Sequence, residues 1–585
     1  MINKSWKLNP NQNTEKEESL FNELIPYAKN KNPNTLSSFK ILAKLLINRG
    51  INTVAEATEF NQLELKNLHD PFLMNSMNEA VLRIQKALDN NQKIMVYGDY
   101  DVDGTTSVAL MVSFLQKLTS NLIYYIPDRY NEGYGVSFLS IDYAKKEGVS
   151  LIIALDCGIK AIDKVEHANK LGVDFIICDH HTPGNELPNA IAVLDPKRTD
   201  CQYPYKELSG CGIGFKLCQA LQQKLNLNFD LNSLLDLTAI SIACDIVPVT
   251  GENRVLASLG LGLINKSPRK SILKLLDEKQ QNKSVQISDL VFQIGPKINA
   301  AGRISTGKTS VDLLLATDPE EIENFTAKIK EFNSTRKEED KRITEEAIEM
   351  LQSDTNLAKK NSTVLYHPNW HKGVIGIVAS RVIESFYKPT IILTNSKNDI
   401  IGGSVRSVKD FDVYQALEQC TEHMIQFGGH KFAAGLTLKK SQLPEFTTKF
   451  EEVVNAQMNS DCFVPEITYD AEIYLEEVTM MLKTNINKLE PFGPKNITPT
   501  FVTHHLIDSG NSRTVGADKT HLKLELSDPN SGVTLSGIAF GLGHLESTIK
   551  ESKSISVAYT IDINHWRGKS TIQLMVKDIQ FKDMK

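Results

Sequence analysis

Three aspartates alternate along one short segment that follows an apolar run of the chain. Asp99, Asp101 and Asp103 lie in the sequence Val96-Tyr-Gly-Asp-Tyr-Asp-Val-Asp-Gly104. Alternate side chains of an extended chain point to the same face, so the three carboxylates are expected to converge. Carboxylates this close repel each other unless a cation lies among them. The spacing therefore predicts a divalent-cation site, and a solvated, aspartate-rich turn is the alternative.

Further candidate ligands follow other apolar runs. Asp156 comes directly after Leu151–Leu155, the triplet Asp179-His180-His181 comes directly after Phe175–Cys178, and Asp245 ends an apolar helical stretch. In open α/β sheets, ligands bind at the carboxyl ends of the strands, where the aspartates and histidines that follow strands are expected to meet. Ordinary hydrogen-bonded histidines at a strand end are the alternative for the His-His pair.

The chemistry of this ligand set favours one class of metal. Aspartates with one or two histidines suit a hard or borderline divalent ion, Mg²⁺ or Mn²⁺, better than structural zinc. So many carboxylates around one pocket suit two ions about 4 Å apart. A metal pair of this kind can stabilise both the attacking and the leaving oxygens of a phosphoryl transfer.

The elements that must position these residues alternate between short apolar runs and helical stretches from about residue 75 to 250. This alternation is typical of a parallel α/β sheet covered by helices. The predicted strands are Lys93–Tyr97, Leu122–Ile126, Leu151–Leu155, Phe175–Cys178 and Ile191–Leu194.

The remaining chain predicts two further folded parts and a connector. Pro319–Ser353 has no glycine and carries apolar residues at three- and four-residue spacing, which predicts one long helix between two lobes. A second α/β lobe follows, with predicted strands at Thr363–Tyr366, Thr390–Leu393 and Ile400–Val405 and a glycine-rich segment at Gly428–Gly435.

The tail changes to β character with one helical insert at 541–552, which suggests a small barrel of OB type. Its predicted strands are Thr500–Ile507, His521–Leu526, Val533–Phe540, Ile555–Ile563 and Thr571–Val576.

This organisation gives an α/β protein with five expected parts. They are an N-terminal helical segment (1–70), a first α/β domain that carries the acidic motifs (71–315), the connecting long helix (316–357), a second α/β domain (358–460) and an OB-like domain (461–585).

Composition narrows the class of protein and its compartment. The 585 residues carry a net charge of −6, so binding to nucleic acid would need local basic grooves rather than a global basic field. The first residues lack the apolar stretch of a signal peptide, and no apolar run is long enough to cross a membrane. The eight cysteines lack zinc-site spacing and are expected to be reduced thiols of a cytoplasmic protein.

Taken in order, these motifs resemble those of the DHH phosphoesterases, over essentially the whole chain. The Gly98–Gly104 segment, Asp156, the triplet Asp179–His181 and Asp245 carry the resemblance. The second lobe resembles the DHH-associated domain (DHHA1), which typically ends in Gly-Gly-His, here Gly428–His430. Within the family, the size, the long helix and the C-terminal OB-like domain resemble those of single-strand-specific DNA exonucleases.

The resemblance implies roles for the acidic residues. Asp156 is expected to bridge two Mn²⁺ or Mg²⁺ ions, Asp99 is a further acidic group of the catalytic motif, and His181 is expected to contact the scissile phosphate as a donor or acid. Tyr97 stands where many phosphatases of the family carry a metal-ligating histidine, which weakens the pyrophosphatase interpretation. The expected metal ligands are Asp101, Asp103, Asp156, His180 and Asp245.

Substrate binding is expected from separate residues. Arg129 and Arg303 lie in segments that resemble the family and are candidates to hold a phosphate, with a surface ion pair as the alternative. His371, Arg381, Ser404, Arg406 and His430 are candidates in the second lobe, where simple packing or solvation is the alternative. In the tail, the weaker candidates for nucleic-acid contacts are His504, His505, Lys523, Trp566 and Arg567.

The function that the resemblance implies is a metal-dependent exodeoxyribonuclease in DNA repair and recombination. It would hydrolyse single-stranded DNA in the 5′→3′ direction to 5′-mononucleotides by two-metal-ion catalysis. A strand threaded between two lobes would exclude duplex DNA. The expected protein is a monomer that binds single-stranded DNA, with a helicase and a single-strand binding protein as further partners.

Other functions are left open by the sequence. A DHH enzyme could act on short RNA or on cyclic dinucleotides. A small-molecule pyrophosphatase is disfavoured by Tyr97 and by the C-terminal domain. A catalytically silent scaffold at replication forks is disfavoured because clustered carboxylates without a compensating cation would only destabilise it.

Overall fold

The computed structural model describes residues 4–28, 30–278, 280, 283–566 and 568–581. These residues form two compact units, one of residues 64–465 and the other of residues 4–63 together with 466–581. The finer division into five parts stays a prediction. No helix in the described ranges has both the length and the apolar character needed to span a membrane.

The N-terminal segment is helical, as predicted, and also contains a strand that was not predicted. The helix Pro33–Ile47 begins where the side chain of Asn32 accepts a hydrogen bond from the Thr35 amide and Pro33 occupies the first turn. The elements are β1 (Ser5–Leu8), α1 (Thr14–Leu24), α2 (Pro33–Ile47) and α3 (Val54–Phe60).

The next part contains the predicted parallel sheet. Its five strands are those expected from the five apolar runs, and their order is β3-β2-β4-β5-β6, all parallel. Near-continuous burial of β4 is typical of a strand covered on both faces. The elements are α4 (Met77–Asp89), β2 (Lys93–Gly98), α5 (Val102–Leu115), β3 (Leu122–Tyr125), α6 (Phe138–Lys146), β4 (Val149–Leu155), α7 (Ile162–Leu171), β5 (Asp174–Cys178), β6 (Ala192–Leu194), α8 (Gly210–Leu225), α9 (Leu235–Cys244), α10 (Gly251–Lys266), α11 (Lys270–Leu275), α12 (Ile287–Asp289), α13 (Gly295–Ile304) and α14 (Lys308–Leu315).

The predicted long helix and second lobe are confirmed. Helix α15 (Pro319–Ser353) begins where Asp318 accepts hydrogen bonds from two amides of the first turn, and its Ile343, Ala347 and Leu351 pack against the second lobe. The five-stranded sheet of this lobe has the order β10-β11-β9-β8-β7. The glycine-rich segment was not predicted as a strand, yet it contributes the end of β10 and the beginning of β11. The elements are α16 (Thr355–Lys359), β7 (Thr363–Tyr366), α17 (Ile375–Ser385), β8 (Thr390–Asn395), β9 (Ile400–Arg406), α18 (Val413–Glu418), β10 (Gln426–His430), β11 (Ala433–Lys439) and α19 (Leu443–Gln457).

The C-terminal part is OB-like, with the five predicted strands in the order β14-β18-β19-β17-β16. Strand β14 also pairs with β16 through Ile507 and Asp508. The N-terminal segment belongs to the same unit, since β1 pairs in parallel with β12 and α2 contributes to the same apolar core. The elements are β12 (Glu466–Tyr469), β13 (Ala471–Glu472), α20 (Met480–Asn487), β14 (Phe501–Asp508), β15 (Arg513–Val515), β16 (His521–Ser527), β17 (Thr534–Ala539), α21 (Glu546–Glu551), β18 (Ile555–Trp566) and β19 (Lys569–Phe581).

Short helical turns complete the chain. A π-helix at Leu290–Ile294 joins α12 to α13. The 3-10 helices are Ile25–Tyr27, Leu65–Asn67, Pro71–Leu73, Leu231–Leu234, Thr421–His423, Lys440–Gln442, Ser460–Phe463, Leu475–Glu477 and Gly543–Leu545.

Candidate active site

The loop between β2 and α5 places the first carboxylates. Asp101 is the N-cap of α5, and its Oδ1 accepts a hydrogen bond from the Gly104 amide at 3.0 Å. A Cβ on Gly104 would collide with the backbone of Asp99, so the loop closes this tightly only with glycine there. Asp99 is fully buried, and its Oδ2 has no hydrogen-bond partner among the described residues.

Asp103 is fixed by the N-terminus of α8. Its two carboxylate oxygens accept hydrogen bonds from the Gly210 amide at 2.7 Å and the Cys211 amide at 2.9 Å. The hydroxyl of Ser241 in α9 donates to the same carboxylate at 2.7 Å. Backbone amides at a helix N-terminus hold an anion firmly, so Asp103 is oriented before any ligand arrives.

Asp156 is held in an unusual backbone conformation at the end of β4. Its φ of 59° lies in the left-handed region, which non-glycine residues seldom adopt. The absence of a side chain on Gly210 makes room for it, since a Cβ there would lie 2.6 Å from the Cβ of Asp156. Its buried Oδ1 has no hydrogen-bond partner in the described chain, although Nε2 of His180 lies 3.2 Å away.

His180 stands at the centre of the carboxylates. Its Nε2 lies 3.5 Å from Oδ2 of Asp245 and 3.8 Å from Oδ2 of Asp103. Ligand atoms of Asp103, His180 and Asp245 lie within 4.8 Å of one another, and so do those of Asp156, His180 and His181. Burial lowers the pKa of His180 to about 4. The imidazole is therefore neutral near pH 7, which is the form that binds a metal.

The ionised form of these carboxyl groups is destabilised by burial and by their mutual repulsion. Burial, followed by repulsion from neighbouring carboxylates, raises the pKa values of Asp99, Asp101, Asp156 and Asp245. Both ring nitrogens of His180 lack hydrogen-bond partners among the residues described. Buried oxygens and a neutral imidazole without partners are the donor set that a divalent cation of the Mg²⁺ or Mn²⁺ class would satisfy. The residues therefore fit the implied metal ions.

Asp179 orients His181, a contribution that the sequence did not predict. Its Oδ1 lies 2.7 Å from Nδ1 of His181, and its Oδ2 accepts a hydrogen bond from the Ile159 amide at 2.9 Å. Burial disfavours the carboxylate, but the hydrogen bond and charge of His181 prevail and lower the pKa of Asp179 to about 2. Nε2 of His181 lies 3.1 Å from the hydroxyl of Tyr134.

Tyr97 is turned away from a ligand role. Its buried hydroxyl donates a hydrogen bond to the Gly135 carbonyl at 2.8 Å, and its ring stacks on Tyr125. Burial raises the pKa of Tyr97, so the phenol stays protonated. This agrees with the expected departure from the phosphatases of the family.

A cleft of about 640 Å³ lies between the catalytic and the second lobe of residues 64–465. The guanidinium of Arg129 lies 4.9 Å from the centre of the Tyr100 ring. Arg303 donates to the Gly373 carbonyl at 2.9 Å, and Arg406 donates to the Ser404 hydroxyl at 3.1 Å. The lining residues are Tyr100, Arg129, Tyr130, Tyr134, Arg303, Lys372, Gly373, Ile375, Gly376, Gly402, Gly403, Ser404, Arg406, Gln426, Phe427, Gly428, Ala434, Gly435, Leu436 and Thr437.

The cleft is built for an anion. Burial, followed by the positive charges of Arg129, Arg406 and Arg336, lowers the pKa of Arg303 to about 10. The first turn of α17 contributes Ile375 and Gly376 to the wall, where backbone N–H groups favour negative charge. Of the predicted substrate residues, Arg129, Arg303, Ser404 and Arg406 meet in this cleft.

Three predicted substrate residues lie elsewhere. Arg381 forms an ion pair with Asp340 of α15 at 2.9 Å, a pairing that the sequence did not predict. Nδ1 of His371 accepts a hydrogen bond from the Gly373 amide, so this imidazole supports the cleft wall. His430 lies at the end of β10 with much of its surface exposed, and partial burial, followed by the nearby charges of His181, Lys160 and Lys197, lowers its pKa.

The sequence missed Tyr134 and Lys372 as lining residues, since neither belongs to an acidic or histidine-rich motif. In the C-terminal part, His504, His505 and Lys523 are exposed on the sheet, which leaves their role a prediction. Arg567 and the side chain of Trp566 lie outside the described residues.

Comparison with known proteins decides the family. Residues 93–242 match the model of the DHH family, N-terminal domain, residues 359–456 match the DHHA1 domain and residues 469–578 match the RecJ OB domain. The single-stranded-DNA-specific exonuclease RecJ of Dickeya dadantii (strain 3937) is 32% identical, over 95% of this chain and 98% of that protein. The chain belongs to the RecJ family.

Two further members of the RecJ family extend the comparison. The Bacillus subtilis (strain 168) single-stranded-DNA-specific exonuclease RecJ is 37% identical over 92% of this chain and 67% of its own length. The crystal structure of RecJ from Thermus thermophilus in complex with Mn²⁺ has a TM-score of 0.82 and 25% identity, covering 99% of this chain and 80% of that one. A second structure of that RecJ contains Mg²⁺.

Proposed function

We propose that this protein is a metal-dependent exonuclease specific for single-stranded DNA, which acts in DNA repair and recombination. It releases 5′-mononucleotides from the 5′ end. Membership of the RecJ family supports the substrate and the reaction. Duplex DNA, short RNA and cyclic dinucleotides are poor substrates.

The observation that carries this proposal is the continuity between the arginine cleft and the acidic cluster. Tyr134 lines the cleft, and its hydroxyl lies 3.1 Å from Nε2 of His181, two residues beyond Asp179. A terminal phosphate held by Arg129, Arg303 and Arg406 would therefore lie beside the hydrolytic centre. An enzyme that grips a chain end next to its catalytic groups cleaves near that end, which is the action of an exonuclease.

The roles of the residues follow from their surroundings. Asp101, Asp103, Asp156, His180 and Asp245 would hold two divalent ions, Mn²⁺ or Mg²⁺, and His180 is the residue common to the two groups of clustered ligand atoms. When bound, such ions polarise the phosphodiester and acidify water. Asp179 keeps Nδ1 of His181 engaged, so Nε2 of His181 is left to act on the scissile phosphate as a hydrogen-bond donor or acid. The buried Oδ2 of Asp99 has no hydrogen-bond partner in the described chain, so it would accept a hydrogen bond from water in the site.

The size of the cleft selects single strands. A volume of about 640 Å³ is that of a site for one small ligand and suits a nucleotide better than a paired duplex end. The tyrosines of the wall offer faces on which an unpaired base can stack.

The strand must therefore arrive unpaired, so we propose that a helicase and a single-strand binding protein supply it. One chain carries both walls of the cleft, and we propose that it acts as a monomer.

The end-capture part of the proposal is tested with strands that differ in one group. Wild-type protein should cleave a 5′-phosphorylated single strand at least about tenfold more efficiently than the 5′-hydroxyl strand, because charge-assisted hydrogen bonds to phosphate are strong. Arg406→Gln should reduce this preference in kcat/KM to near unity. Arg342→Gln, on the exposed face of α15, is the control and should keep it. An unchanged preference in Arg406→Gln would contradict end capture in the cleft.

A further inference from the structure

A second, smaller cavity of about 180 Å³ lies between helices of the catalytic lobe, α15 and α17. Its wall includes Cys244 and Asn299, and it shares Arg303 with the larger cleft. Arg336 of α15 also lines it. None of the metal-ligand candidates is among its described lining residues.

Arg336 is a buried cation with an incomplete set of partners. The residue is 8% exposed, and its Nε has no hydrogen-bond partner in the described part of the chain. Its Nη2 donates to Oδ1 of Asn333 at 3.0 Å. The nearest carboxylate, Asp340, lies 3.8 Å from its Nη1 and is already held by Arg381 through both oxygens, at 2.9 and 3.1 Å. Two guanidinium groups thus share one carboxylate, which leaves a positive charge uncompensated.

The other polar groups of the cavity add to this excess. Arg303 gives one hydrogen bond to the Gly373 carbonyl. Its lowered pKa reflects burial together with the positive charges of other arginines, Arg336 among them. Asn299 adds a side-chain amide to the cavity wall. Buried charges without a counter-charge are costly, so the cavity is suited to an anion.

We propose that this cavity is a second anion site, which binds a phosphate group through Arg336, Arg303 and Asn299. A water molecule occupies about 30 Å³ in the liquid, so the cavity has room for a tetrahedral anion. The phosphate can come from the backbone of a bound strand or from free phosphate, including that of a released mononucleotide. The first source rests on the proposed function, whereas the site itself does not.

Binding of inorganic phosphate to the full chain, without added metal or DNA, tests the site by calorimetry. We expect two classes of phosphate site in the wild type, one in the cleft and one in the cavity. Arg336→Gln should weaken one class by about tenfold or more, since a charge-assisted hydrogen bond is lost. Asp340 keeps Arg381 as its partner in this variant. Arg342→Gln on the same helix is the control and should bind as the wild type does.

A second variant distinguishes loss of the phosphate site from misfolding of the protein. Asn299→Asp is nearly isosteric and places a carboxylate beside the cavity's arginines, so it should abolish the same class of phosphate site while the thermal midpoint is kept or rises. If both Arg336→Gln and Asn299→Asp bind phosphate as tightly as the wild type, the proposal is wrong. This measurement requires no hydrolysis, so its failure is distinct from failure of the exonuclease proposal.

The source of the phosphate is decided by salt dependence. If a strand phosphate occupies the cavity, Arg336→Gln should reduce the slope of log affinity for single-stranded DNA against log salt by about 0.7. If free phosphate occupies it, the slope should stay unchanged and inhibition by inorganic phosphate should weaken instead. Either result supports the anion site and assigns its ligand.

Discussion

Asp179 was not predicted to be a metal ligand, yet its carboxylate supports the candidate active site. All of its hydrogen bonds run to backbone amides and to the imidazole of His181. The pKa of Asp179 is lowered to about 2, so this carboxyl group is ionised near pH 7. Burial disfavours the imidazolium of His181, but the hydrogen bond to Asp179 outweighs it and raises the pKa of His181. Asp179 is thus a positioning residue for His181, the group that we propose contacts substrate.

Replacing this carboxylate should change both rate and pH dependence. We expect Asp179→Asn to lower kcat by about 10- to 100-fold, as for other supporting groups of metal sites. The pKa of His181 should fall because its anionic partner is lost. As the pH is raised, the rate of the variant should therefore begin to decline at a lower pH than the rate of the wild type. Initial rates between pH 5 and 9 measure this shift.

A matched variant separates this effect from a general loss of charge. Asp142→Asn removes an exposed aspartate that pairs with His167 and should leave the pH profile unchanged. A pH profile of Asp179→Asn that superimposes on that of the wild type would show that Asp179 does not act through His181.

At the scale of elements, the N-terminus of α8 joins two carboxylates into one site. Its first amides bind Asp103, and the bare Cα of Gly210 allows the left-handed backbone of Asp156 to approach. A Cβ on Gly210 would lie 2.9 Å from the Cα of Asp156 and 3.1 Å from Oδ2 of Asp103. Since backbone atoms cannot turn aside as a flexible side chain does, the helix and the strand end are fitted to each other.

Gly210→Ala should therefore lower activity sharply while the fold is kept. We expect a loss in kcat of about 100-fold, because a displacement of about 1 Å in a catalytic group has this effect. The free energy of unfolding should fall by about 1–3 kcal/mol, as for other overpacked sites. Single-turnover cleavage and urea unfolding measure the two quantities.

Another glycine provides the control. Gly262 lies in α10, and a methyl group added to it would have no described atom within 4 Å. Gly262→Ala should therefore leave activity intact and stabilise the helix by up to about 1 kcal/mol. Equal activity of Gly210→Ala and Gly262→Ala would contradict the role assigned to the α8 terminus.

At the scale of the whole molecule, the net charge is −6, but two local regions carry opposite charges. One end of the parallel sheet gathers buried carboxylates, and the cleft beside it gathers buried arginines. Each region is costly without its ligand, a cation for the first and a phosphate for the second. Ligand binding therefore contributes directly to the stability of the fold.

The gain in stability from metal should depend on pH. Burial and mutual repulsion raise the pKa values of Asp99, Asp156 and Asp245, so the folded metal-free protein binds protons that the unfolded chain releases. Its stability should fall as pH rises through these raised values, whereas bound metal removes the repulsion. The Mn²⁺-induced rise in Tm should thus be larger at pH 8 than at pH 6. A rise that shrinks with increasing pH would contradict this reasoning.

The sequence predicted the parts of the structure that depend on local patterns. Apolar runs located the parallel strands, and the spacing of Ile322, Phe325 and Ile329 located the long helix. The acidic motif located the cluster because strand ends meet at one edge of a parallel sheet. The pairing of Arg381 with Asp340 was not predictable, since the two residues meet only through packing of α17 on α15. The pairing of β1 with β12 likewise joins segments that are far apart in the chain.

The measurement that tests the central proposal most directly is cleavage of one DNA strand, labelled at either end, in the presence of Mn²⁺. Its duplex form, a dinucleotide and the Asp156→Ala variant are tested beside it. We predict rapid release of a labelled 5′-mononucleotide from the single strand, little from the duplex and none with Asp156→Ala. Cleavage of the dinucleotide with the long strand left intact would contradict the exonuclease function and keep only the metal chemistry.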